Sequence, residues 1–99
     1  MLGVKGATLE EYGAVAEEVV REMVEGALAR SHAQIAVAVS GVAGPGGGTP
    51  DKPVGFVCFA WGMKDGKPRS ETRRFSGDRE AVRRQSVEHA LRGVIALLA

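Results

Sequence analysis

The chain has 99 residues, with 13 Lys and Arg against 12 Asp and Glu, for a formal net charge of +1. That length allows one domain spanning 1–99, or part of one, and no apolar run approaches the roughly 20 residues of a membrane-spanning helix. A lone cysteine, Cys58, excludes an internal disulfide and stands in an apolar stretch, which fits a reducing, cytoplasmic setting. The N-terminus shows no charged segment followed by an apolar one, so no signal peptide is expected.

From Val15 to Leu28, Val15, Val19, Val20, Met23, Val24, Ala27 and Leu28 recur at helical spacing. Glu18, Arg21, Glu22 and Glu25 take the other side, so an amphipathic helix with one face on a core is predicted. Ile35–Val39, "IAVAV", is short, β-branched and without alternation. A strand with no polar face is usually covered on both sides. Val54–Gly62 reads as a second buried strand, and "KDGK" at 64–67 contains Asp-Gly, a hairpin signal. Arg69–Phe75 follows with the polar content of an edge strand.

The last helix is expected to begin near Asp78, a good N-cap, and to run to about Leu98. Glu80, Arg84, Glu88 and Arg92 repeat every four residues as a solvated ladder of alternating charge. Arg79 and Arg83 fall instead on the row through Val87, Ala90 and Val94, which aims them at the packed side. The order is α-β-β-β-α, a thin core for an α/β fold. A buried Ile35–Val39 wants neighbours on both edges, so a further strand beyond these three is expected.

Between the two apolar strands lies "SGVAGPGGGTPDKPVG", residues 40–55, with six glycines and three prolines. Bare backbone N–H groups there can approach an anion closely. Neither standard phosphate fingerprint fits, because Gly48 is followed by Thr49 and Pro50, and the loop enters a strand rather than a helix. A wide strand-to-strand crossover is the plain alternative. Arg79, in the first turn of a helix, could clamp an anion that the free N–H groups already attract. It could equally pair with Asp78 or Glu80. Ser40 closes a strand beside a glycine, at a strand end where α/β sites lie, and suits hydrogen bonding better than nucleophilic attack. His32 and His89 lack metal-ligand spacing, and one cysteine makes no zinc site. No metal or other cofactor is expected. Trp61 and the phenylalanines read as core.

Charge is uneven along the chain. Residues 1–49 carry three basic against six acidic side chains, net −3, and residues 50–99 carry ten against six, net +4. The basic half could face an anion or form a salt-bridged surface. The regular Glu/Arg ladder argues against a dedicated nucleic-acid face.

Taken together, "SGVAGPGGGTPDKPVG" and "FSGDREAVRRQSVEHAL" resemble the C-terminal domain of the CinA (competence/damage-inducible) family, the nicotinamide mononucleotide deamidases also called PncC. The leading "LGV" and "YGAVAEEVVREMVEGALARS" fit as well. The resemblance implies an α/β/α sandwich with a mixed sheet, here lacking the family's N-terminal strand and helix. It implies hydrolysis of nicotinamide mononucleotide to nicotinate mononucleotide and ammonia, without a metal. The family's serine nucleophile lies in an Ala-Glu-Ser-Cys-Thr-Gly-Gly type segment, followed by a tyrosine and a lysine. No such segment occurs here, so no catalytic residue is matched.

What the resemblance carries over is one wall of a substrate site. Ser40 stands where the family usually has threonine, Gly41, Gly44, Gly46 and Gly47 match the loop lining the site, and Arg79 in "GDR" matches an arginine expected near the phosphate. Ala16 replaces a usual helix-capping serine, a loss of about 1 kcal/mol. The expected ligand is nicotinamide mononucleotide or a related nucleotide, with neither membrane nor nucleic acid as partner. The alternative is a non-catalytic nucleotide- or protein-binding module that acts as a homo-oligomer and completes its sheet across chains.

Overall fold

A computed structural model of the chain describes residues 15–42, 53–64 and 66–98. Within them the order is α1 (Glu17–Ala29), β1 (Ile35–Gly41), β2 (Phe56–Met63), β3 (Arg69–Arg74) and α2 (Arg79–Leu98). The predicted α-β-β-β-α sequence of elements therefore stands, with boundaries moved by one or two residues. Ala16 occupies the N-cap of α1 with no side-chain hydrogen bond, as its methyl group dictates. Glu17 and Glu18 in the first turn favour the helix dipole there.

The three strands form one sheet in the order β1-β2-β3, with both pairings antiparallel. Partners across an antiparallel ladder share a face, so the register sorts the core into two layers. Ala38, Cys58 and Ala60 pack with Val20, Val24 and Leu28 of α1. On the other face, Val57, Phe59 and Trp61 pack with Val82 and Ala90 of α2. This is an α/β/α sandwich, and its middle strand is buried on both faces. That explains why β2 shows an apolar run rather than alternation. The Cys58 side chain is buried within it.

The same argument does not hold for β1. Its apolar run predicts cover on both sides, yet only Ala38 is buried, and Val37 and Val39 stay 41% and 40% exposed. The reason is position: β1 is an edge of the described sheet, and the buried side chains of α2 cluster with Val57, Phe59 and Trp61 of β2.

The face of α2 also differs from expectation. Its buried residues are Val82, Ser86, Ala90 and Gly93, whereas Val87, expected on the packed row, is 53% exposed. The packed stripe is centred one row away because the Trp61 indole fits against Gly93 and donates its Nε1–H to the Ala90 carbonyl at 2.9 Å. Trp61 stacks on Phe59, with ring centroids 5.6 Å apart, and both are core as expected. His89 packs edge-on against Phe59 and Trp61 and hydrogen-bonds Glu71 of β3.

Polar β3 is knitted to both helices rather than merely solvated. On the α1 side, Ser70 and Thr72 donate their hydroxyls to the two oxygens of Glu17, at 2.8 and 2.6 Å. The Thr72 hydroxyl holds the Glu17 carboxyl below the usual carboxylate range, with help from Ser70 and Arg21 and against the opposing effect of partial burial. A carboxyl whose pKa falls on folding contributes stability above its unfolded value, and that contribution disappears as pH drops through the lowered folded value. Urea unfolding of a Glu17→Gln variant should therefore show a smaller loss of stability between pH 7 and pH 3 than the parent chain. Equal acid losses would mean that Glu17 is not the linked group.

Candidate functional site

The chain direction brings the C-terminal end of β1, the start of β2 and the first turns of α2 to one end of the sandwich. There an open cavity of about 220 Å³ is lined by Val39, Gly41, Val57, Arg79, Val82, Arg83 and Ser86. Its lining is thus mostly apolar, with two arginines, both exposed. Neither Arg79 nor Arg83 joins an ion pair among the described residues.

The helix start beside the cavity is held firmly. Asp78 Oδ1 accepts the Ala81 N–H at 2.9 Å, the capping expected from the sequence. Gln85 donates to the carbonyls of Ser76 and Ala81, at 2.9 and 3.0 Å, tying the preceding turn to the helix. The buried Ser86 hydroxyl donates to the Val82 carbonyl at 2.7 Å and is thereby oriented. The positive end of the helix dipole adds to the arginines at this spot.

Both stems of the glycine-rich loop meet beside the cavity. Val42 donates to Phe56 at 2.9 Å, Gly55 donates to Val42 at 2.6 Å, and Phe75 donates to Gly55 at 2.9 Å. These bonds lock the loop's entry and exit to the sheet. Gly44, Gly46 and Gly47, expected to line the site, lie outside the described residues.

Of the remaining expected residues, the structure brings together Gly41 and Arg79. Ser40 stands at the same strand end on the opposite face: it pairs with Cys58, on the side of Ala38 and α1, while Gly41 pairs with Val57 on the cavity side. One residue of strand reverses the direction of a side chain. Arg83 and Ser86 join the cavity without having been singled out as site residues. The spacing of Arg79 and Arg83, four residues apart on one helix face, is the signal that pointed there.

Elsewhere, His32 is exposed and His89 serves the core. Among the described residues no group of three or more His, Cys, Asp or Glu could hold a metal ion. No described helix is long and apolar enough to cross a membrane.

The described residues form a three-layer α/β/α sandwich with a hollow lined by two arginines where a strand ends and a helix begins. The chain belongs to the CinA C-terminal domain family, whose family model matches residues 1–98. A Pseudomonas putida protein named nicotinamide-nucleotide amidohydrolase PncC is 59% identical over 97 residues, which cover 97% of this chain and 59% of that protein. A CinA-like protein of Akkermansia muciniphila is 53% identical over 95 residues, covering 96% of this chain and 23% of the relative. The crystal structure of the competence/damage inducible protein CihA from Agrobacterium tumefaciens superposes with a TM-score of 0.95 at 43% identity, across 100% of this chain and 61% of that one. The chain thus spans little more than half the length of the PncC relative it matches.

Proposed function

We propose that this chain is the substrate-binding portion of a nicotinamide-nucleotide amidohydrolase that works in the cytoplasm. The reaction takes nicotinamide mononucleotide and water to nicotinate mononucleotide and ammonia. The observation that carries the reading is the cavity joining Gly41 and Arg79 at the stems of the glycine loop, in a chain 59% identical to a protein named for that activity. Arg79 faces the phosphate of the nucleotide, and Gly41 lines the adjoining part of the cavity at the loop's entry. Ser40 addresses the remote part of the ligand. A nucleotide touching both Arg79 and Ser40 passes around the end of β1, since the two side chains serve opposite faces of the sheet. Attack on the carboxamide requires an activated nucleophile beside a base, and those groups come from outside these 99 residues.

A proton NMR titration with nicotinamide mononucleotide, followed for hours, tests this. Saturable shifts at Val39, Gly41 and Val82 without nicotinate mononucleotide are the expected result. Product formation would place the catalytic groups within this chain, and the absence of shifts would remove the nucleotide from the reading.

A second reading, a homo-oligomeric binding module, is favoured by the uncovered surface. Val37 and Val39 of β1 and Val87, Leu91, Ile95 and Leu98 of α2 are between 40% and 68% exposed. The outer edge of β1 pairs with no other strand among the described residues, and "IAVAVSG" carries neither charge nor proline to discourage pairing. A second copy that pairs along this edge would extend the sheet and cover that surface. Sedimentation would then show a mass that rises with concentration, whereas a monomer throughout would leave the first reading alone.

A further inference from the structure

We infer that Arg83 is a second phosphate ligand, so that the cavity reads a terminal phosphate dianion with two guanidinium groups rather than with Arg79 alone. The inference rests on the nucleotide reading above and adds a residue which that reading does not use. Arg79 and Arg83 are exposed, one helical turn apart, and line the same cavity. Like charges at this spacing repel each other. Among the described residues no carboxylate bridges them: the four ion pairs involve Arg21, Arg73 and His89. The nearest acids are turned to other tasks or faces. Asp78 caps the helix through the Ala81 N–H, and neither Asp78 nor Glu80 lines the cavity.

The rest of the lining makes the arrangement selective. Val39, Val57 and Val82 leave it mostly apolar, and the Ser86 proton is committed to the Val82 carbonyl. The guanidinium groups are therefore the only charged donors that the described lining offers. Two of them match a phosphate monoester, which carries close to two negative charges near neutral pH, and each can bind bidentately. A bridging phosphodiester carries a single charge, and a nucleoside carries none. The cavity should accordingly prefer a mononucleotide to its dephosphorylated nucleoside.

The test is isothermal titration of the 99-residue chain and its Arg83→Gln, Arg83→Lys and Arg79→Gln variants. The probes are nicotinamide mononucleotide, nicotinamide riboside and inorganic phosphate. Arg83→Gln is expected to raise the Kd for the mononucleotide and for phosphate by about 10-fold to 100-fold, the range for loss of a hydrogen bond between charged groups. Riboside binding should not change, and Arg83→Lys should restore part of the loss. Arg83 is exposed, so the variants should unfold at the parent temperature.

If Arg83→Gln leaves mononucleotide binding intact while Arg79→Gln weakens it, the second ligand is refuted and the nucleotide reading survives. If phosphate binding depends on Arg83 but the mononucleotide binds no better than phosphate, the two-arginine site stands and the nucleotide reading falls. If no probe binds the parent chain, both are overturned.

Discussion

Replacing Gly93 with alanine is expected to destabilise the fold by about 1–3 kcal/mol, the range for forcing extra volume into a packed core. The cause is a single contact. A Cβ built at Gly93 would collide with the Trp61 indole at Cε2 and Nε1. The ring cannot swing clear, because it is 1% exposed, stacks on Phe59, and donates Nε1–H to the Ala90 carbonyl. Relief therefore requires α2 to lift from the sheet, which would also disturb Val82 and the arginines at its other end. In a domain of this size each kcal/mol lowers the melting temperature by about 4–8 °C. Chemical denaturation should show the lower midpoint. Combining Gly93→Ala with Trp61→Phe should recover part of the loss through a coupling of about 0.5–3 kcal/mol. A Gly93→Ala chain as stable as the parent would mean that α2 does not seat on Trp61 as described.

The second large effect is expected at Gly55, where conformation and contact act together. Its φ of +90° lies where only glycine is at ease, and an added Cβ would strike the Phe75 carbonyl oxygen. The same residue donates to Val42 and accepts from Phe75, closing the exit of the glycine loop onto the sheet. The conformational penalty is about 1–2 kcal/mol. Breaking the Phe75 bond to relieve the collision adds about 0.5–1.5 kcal/mol. Gly55→Ala should thus lose about 1.5–3.5 kcal/mol, with faster amide exchange at Phe75. Exchange at Phe75 that matches the parent would show that the loop exit does not depend on this glycine.

These two glycines illustrate how differently the parts of the molecule can be read from sequence. Gly55 closes a glycine-rich loop and was open to local reasoning. Gly93 sits in a helix where nothing local explains it, and only the Trp61 ring does. The Arg79–Arg83 pair shows the same division. Spacing placed both on one helical row, yet the row was aligned with Val87, which is exposed. The cavity they line exists because Gly41 and Val57 come up beneath them from two strands. Likewise the polar content of β3 predicted an edge strand correctly, but it could not show that Thr72 and Ser70 serve Glu17 on α1.

By itself, the sequence determined what depends on short range. Periodicity set the helices, Asp78 set the start of α2, and the apolar run of β2 set a strand buried on both faces. The motifs around the glycine loop and "GDR" pointed to the family as well. Tertiary structure alone decided which face each helix turned inward, left Val37 and Val39 uncovered, and put Ser40 and Gly41 on opposite sides of one strand. The physical reason is that a pattern of 3.6 or 2 residues fixes which side chains share a face. What that face meets depends on partners from distant parts of the chain, and those partners set the energies.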